Sequence, residues 1–371
     1  YTPLYHQVYL NKAKNGTIDK ALLPENIDGS GFLADVAANL AVSLQIKQKE
    51  FDKLLLQLTD NKLTFGNLSY LFFFTRIMRK LKLSATDIDI LLDLTGDVPT
   101  GSPANTLEFI AKALASKKHP LKLADVRYML YHQADEIDPL EFKDDKIQAT
   151  LGALQAAYQG AYAANKSPYD PNLTATEQQE VLLTLLGQFP EVTEDDAKAI
   201  AGFIGRKWSS PNDAKTLIDT LFGALFDTTG IKAAIDALAA VPPATDFSLE
   251  SKNLLKNILD ALAANRFLAA KTLIMETQVS TAFKANPDLT AAVLRHAILK
   301  QPAPGTDAIR DILLSDSLID TVNPVPVPPV ITEAGFTQHY RALRLLHKLL
   351  PLIDSYKLEV SDAEWLLMHN T

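Results

Sequence analysis

The sequence predicts an all-α protein of stacked helical hairpins, α-solenoid-like, with little or no sheet. Three observations carry this. A phrase recurs at Lys82-Leu83-Ser84-Ala85-Thr86-Asp87-Ile88-Asp89-Ile90-Leu91-Leu92 and at Lys357-Leu358-Glu359-Val360-Ser361-Asp362-Ala363-Glu364-Trp365-Leu366-Leu367, with looser copies at Ile46 to Leu55 and Leu121 to Leu130. Each copy follows an apolar stretch of helical period, so each reads as one helix ending, a tight turn and a second helix beginning. Finally, no run of alternating apolar and polar residues long enough for a strand is found.

Within the phrase, Thr86 with Asp89 and Ser361 with Glu364 fit the capping-box spacing, in which a hydroxyl and a carboxylate three residues on satisfy each other's backbone amides. The carboxylates of these phrases are therefore expected to be caps and not catalytic acids. Ile88, Leu91 and Leu92, and by analogy Leu366, should face a core.

The elements follow in order. Residues 1–30, with Gly29 and the adjacent Gly31, read as an irregular lead-in, and residues 31–135 as three successive hairpins with stops at Gly96-Asp97-Val98-Pro99 and His119-Pro120. A second bundle is expected over 136–245. Its helices run from Ile147 to Ala164, from Glu177 to Gln188 behind a Thr174–Glu177 capping box, from Thr193 to Ile204, from Asp213 to Phe226 and from Ile231 to Ala240. A third bundle over 246–322 should contain helices at Ser248–Ala264, Arg266–Ala285, Leu289–Lys300 and Thr306–Leu314. Four prolines make 323–330 a stiff linker. Residues 331–371 begin a further hairpin that stops soon after its second helix starts, and with Tyr1 in first place the chain reads as a piece of a longer protein.

Composition narrows function. The chain has 371 residues, 47% hydrophobic and 22% charged, with a net charge of −8. An acidic chain offers no overall basic footprint for nucleic acid, and the local run Arg76, Arg79, Lys80, Lys82 suits a helix C-terminus. With no cysteine, disulfides, thiolate metal sites and cysteine nucleophiles are excluded. No apolar run reaches the roughly 18–20 residues that span a bilayer.

Motifs of catalysis are missing. There is no His-Glu-x-x-His, no phosphate loop, no Gly-x-Ser-x-Gly and no Gly-x-Gly-x-x-Gly. His339 and His347 could share a helix face but lack further donors for a metal. Asp87, Asp89, Asp93 and Asp97 lack the glycine and terminal glutamate of a calcium loop. Glu194, Asp195 and Asp196 suit a helix first turn, and Asp135, Glu136 and Asp138 precede Pro139 in a turn. Asn15, Asn67 and Asn172 head glycosylation-type triplets, a number chance supplies at this length. The expectation is a protein that is no enzyme, with no catalytic, metal or cofactor residues.

Leu63-Thr64-Phe65-Gly66-Asn67-Leu68-Ser69-Tyr70-Leu71, continuing through Ile77-Met78-Arg79-Lys80-Leu81-Lys82-Leu83-Ser84 to Leu91-Leu92-Asp93-Leu94-Thr95-Gly96, resembles the A component of bacterial Tc insecticidal toxin complexes. Asn105 to Ile110, leading into Leu121 to Leu130, and Tyr340 to Lys348 with Lys357-Leu358 are similar to further segments of that family. Gly66 and Phe72 depart from the family pattern, and the middle of the chain shares helical character only. The resemblance implies the α-helical shell of a secreted bacterial toxin subunit that forms a homopentamer around a translocation channel. It also implies contacts with other toxin-complex components and a host receptor or glycan, without direct membrane insertion by this segment. An α-solenoid that binds protein partners, unrelated to toxins, is the alternative.

Overall fold

The computed structural model describes residues 3–131, 142–242, 247–300, 306–323 and 326–369. The chain is all-α, and it divides into two compact units, residues 1–141 and 142–371.

The first unit holds α1 (Leu4–Val8), α2 (Lys12–Asn15), α3 (Ala37–Leu44), α4 (Gln48–Leu55), α5 (Phe65–Leu81), α6 (Ala85–Thr95), α7 (Pro103–Ser116) and α8 (Leu123–Tyr131). The segment expected to be an irregular lead-in consists of short helical pieces and turns and is built into the core. Tyr9, Leu22 and Ile27 are buried with Leu40, Phe51 and Phe74, and the Tyr9 hydroxyl donates to the Leu68 carbonyl at 2.8 Å. A short antiparallel contact adds to this, with Leu33 N donating to Asn61 O and Leu63 N to Gly31 O, both at 2.8 Å.

The caps sit two residues earlier than the phrase suggested. Ser84, not Thr86, caps α6: its hydroxyl accepts from Asp87 N at 3.0 Å while the Asp87 carboxylate accepts from Ser84 N at 2.8 Å. Thr86 lies in the first turn, where its hydroxyl accepts from the Lys53 ammonium. Both registers satisfy the Ser/Thr-x-x-Asp spacing. The earlier one wins because Lys82 makes a left-handed turn (φ 51°) directly before it, and because it buries Ala85, Ile88, Ile90 and Leu91 together. Replacing Ser84 by Ala is therefore expected to cost about 1 kcal/mol. The corresponding loss of an N-cap should be absent for Thr86→Ala, and urea denaturation of both variants separates the two registers.

The second unit comprises α9 (Asp144–Ala164), α10 (Ala175–Leu186), α11 (Glu194–Phe203), α12 (Pro211–Phe222), α13 (Thr229–Ala240), α14 (Leu249–Phe283), α15 (Pro287–His296), α16 (Ile309–Leu313), α17 (Thr337–Ser355) and α18 (Val360–Met368). The Thr174–Glu177 capping box is present at the start of α10, and Thr193 with Asp196 forms another at α11.

Two expected helices, Ser248–Ala264 and Arg266–Ala285, are one 35-residue helix, α14. No glycine or proline occurs within it. Asn265, the residue left between the two expected helices, is helical and donates its side-chain amide to the Leu225 carbonyl at 3.1 Å. This helix also crosses the expected bundle boundaries. Its first half packs Leu254, Leu255, Ile258, Leu259 and Leu262 with α10 to α13. Its second half gives Met275 and Val279 to a core shared with α9, α15, α16, α17 and α18, so segments expected in separate bundles (246–322 and 331–371) share one core.

Helix was also expected through Lys300 and from Thr306. There α15 ends at His296, and Ile298–Lys300 (β1) pairs antiparallel with Thr306–Ala308 (β2) in the register Ile298 to Ala308. Pro302 and Pro304 follow β1 in sequence, and a proline disfavours helix in the residue before it. Described residues on either side of the proline-rich segment's start are tied to α9 and to each other: Gln159 and Gln155 donate to the carbonyls of Asp320 and Pro329, and the Asp320 carboxylate gathers the amides of Val322, Asn323 and Val327. Those bonds hold the Asp320 carboxyl well below the usual carboxylate range.

At α18 the cap again lies two residues early, with the Asp362 carboxylate accepting from Glu359 N at 3.3 Å instead of a Ser361–Glu364 box. The helix turns Ala363 into the core and packs Leu358 and Leu367 beside it. Leu366, expected inside, is 47% exposed.

Candidate functional site

Asp87, Asp89, Asp93, Asp97, Glu194 and Asp196, singled out by the sequence, are spent on structure. Asp87 is a cap. Asp89 accepts from Gln57 and, with Asp93, faces Arg127 at 3.5 and 3.8 Å. Asp97 pairs with Lys112 at 2.8 Å, and the lysine holds its carboxyl below the usual range. Asp196 is a cap and Glu194 pairs with Lys198 along one exposed helix face. Asp135, Glu136, Asp138 and His132 lie outside the described residues. The triplet asparagines serve turns: Asn67 donates to Asp60 and the Lys62 carbonyl, Asn172 to Asp170, and Asn15 to the Tyr9 carbonyl.

His339 and His347 do not converge. His339 packs edge-on against Phe336, whereas His347 stacks on Phe142. Among the described residues no three His, Asp or Glu side chains come together as a metal site would need, and no helix is long and apolar enough to cross a membrane.

Two features escaped the sequence reading. The first is Lys271, 1% exposed on α14. Its ammonium bonds the Leu314 carbonyl, meets Asp316 at 2.7 Å and lies over the rings of Tyr158 and Phe267 at 5.2 and 5.4 Å. The stripe Ala263, Phe267, Lys271, Met275, Val279 places a lysine on an otherwise apolar line at four-residue spacing, which is the signal in the sequence. His339, 6% exposed, senses this charge. Burial first, and Lys271 second, hold its imidazole neutral, down to about 4.

A buried neutral histidine gives a pH dependence of definite sign. The unfolded chain takes up the proton near pH 6.5 while the folded chain resists until about 4. Stability is therefore complete above pH 6.5 and falls as pH drops towards 4. By pH 5 the loss from this residue is about 2 kcal/mol. Comparing urea midpoints at pH 7 and 5 for the native chain and His339→Phe should show that difference; equal shifts would remove His339 from the account. Structural carboxylates such as Asp97 act at lower pH and stay out of this window.

The second feature is an apolar groove of about 480 Å³ in the first unit, lined by Leu4, Tyr5, Phe65, Phe72, Phe73 and Arg76. Ser69 and Phe73 also line an adjoining groove of about 800 Å³ that runs to Leu107. Arg76 is the charged residue among those that line the two grooves, and no acid lines either. Such a surface can hold an apolar segment that carries a carboxylate to meet Arg76. No family model, curated protein or solved structure matches the chain.

Proposed function

We propose that the chain is a structural wall segment, not an enzyme, of the α-helical shell of a secreted bacterial toxin subunit of the Tc A-component type. The observation that carries this reading is where the resembling residues fall. Residues 63–71 and 77–84 fall on α5 and the residues flanking it, 91–96 on the end of α6, Tyr340–Lys348 within α17 and Lys357-Leu358 in the turn into α18, so the resemblance lies on two hairpins of one design. Hairpins that bury their apolar stripes only against neighbours make a stiff wall. In this reading the intact subunit forms a homopentamer with a central channel, joins other toxin-complex components and meets a host receptor or glycan. It binds no nucleic acid and requires no cofactor or metal, and this segment does not itself enter the membrane. Electron microscopy of the polypeptide purified from its native source tests the reading: a five-fold particle around a channel is expected, and a monomeric or open spiral particle overturns it.

A second reading, an α-solenoid module that binds protein partners, is favoured by the apolar groove at Phe65, Phe72 and Phe73, with Arg76 in its wall. It expects saturable binding of acidic amphipathic peptides that Phe73→Glu abolishes.

A further inference from the structure

The two copies of the hairpin correspond residue for residue at an offset of 275. Lys82 and Lys357 share the left-handed turn, each at φ 51°, and Asp87 and Asp362 both reach back to the cap amide. Their surroundings differ. In the first copy, α6 packs against both α4 and α8. Ile90 and Leu91 are then 0% and 3% exposed. In the second copy, α18 packs against α15, with Arg295 and His296 facing Glu364, while the counterparts Trp365 and Leu366 are 60% and 47% exposed and Met368 is 56% exposed. The preceding helices differ in the same way: Phe74 of α5 is buried with its ring edge-on to Phe109 of α7, and its counterpart Leu349 on α17 is half-buried.

The first copy therefore shows what covers this flank. The α7–α8 hairpin supplies Phe109 to Phe74, Lys117 to the Leu81 and Lys82 carbonyls that end α5, and Arg127 to Asp89. Charge agrees with the same occupant at the second copy. From Leu358 to Met368 there are three acids, Glu359, Asp362 and Glu364, and no lysine or arginine; from Lys117 to Arg127 there are four basic residues and one acid.

We propose that the flank of α17–α18 bearing Trp365, Leu366 and Met368 is a docking face for an amphipathic helical hairpin of the α7–α8 type: an apolar stripe with an aromatic anchor, joined by a lysine-rich turn. The face does not depend on the toxin reading, since it follows from the internal correspondence alone.

The test uses the whole chain. Thr371 corresponds to Gly96, so a second copy of residues 97–131 fused after Thr371 continues the repeat in register. The chain has two tryptophans, and Trp208→Phe leaves Trp365 as the reporter. Tethering gives the appended hairpin a high local concentration. The expected result is a blue shift of Trp365 emission and a several-fold drop in its quenching by acrylamide. A fusion whose appended copy carries Phe109→Glu should return both to the values of the unfused chain, and because the change lies in the added segment the host fold is untouched. Equal emission and quenching across the unfused chain and both fusions would overturn the proposal. So would concentration-dependent dimerisation of the unfused chain, seen by sedimentation velocity, with simultaneous protection of Trp365; a second copy would then be the occupant.

Discussion

Ala264→Pro is expected to cost at least about 3 kcal/mol and to divide the unfolding of residues 142–371 into two steps. Ala264 is exposed, so the change removes no core packing. It acts on the backbone, deleting one hydrogen bond of α14 and driving the ring into the preceding turn. The helix is the rigid member common to two cores, one gathered by Leu254, Ile258, Leu259 and Leu262, the other by Met275 and Val279. Breaking it between them should let each core melt at its own midpoint. Ala264→Gly, which keeps the amide, should cost only about 1 kcal/mol and leave one transition. Differential scanning calorimetry reads both; a single unshifted endotherm for Ala264→Pro would show that α14 does not couple the cores.

Lys271→Ala should destabilise the chain by about 3 kcal/mol. It empties the space of a long aliphatic stem between Tyr158 and Phe267 and leaves the Leu314 carbonyl without its donor. Lys271→Met should recover more than half of that loss, because it restores the stem and has no charge to strip of water. Asp316 is largely exposed, so the ion pair itself is screened and contributes little of the total. Urea denaturation of the two variants separates packing from charge: equal losses would mean that the bond to Leu314, and not the stem, holds the site together.

These two effects lie where the sequence was hardest to read. Helical periodicity and caps such as Thr174–Glu177 are local, and the all-α class follows from them. Continuity of α14 is not local. Asn265 has a poor intrinsic preference for helix, and what keeps it there is a carbonyl 40 positions earlier, on Leu225. The cap register was ambiguous because Ser84–Asp87 and Thr86–Asp89 have identical spacing, and only the neighbouring α4, through Lys53, and the nearby Gln57 assign the second pair another task. The same holds for Leu366: the pattern marks it as apolar, but whether it is covered depends on a partner helix that its own repeat cannot specify. For candidate sites, the absence of catalytic motifs was legible, whereas the buried Lys271 showed only as an irregularity in a stripe, and the Phe65–Phe73 groove arises from chain segments more than fifty residues apart.

Several joints between helices are wound left-handed. Gln45, Lys82, Lys284 and Lys357 all follow a helix end with positive φ, a conformation that glycine adopts without steric cost and that other residues reach at roughly 1 kcal/mol. Each such elbow is thus a small spring held cocked by the packing on either side. A heat-hardened form of this chain can be sought at its elbows alone, one glycine at a time, with every buried contact left as it stands.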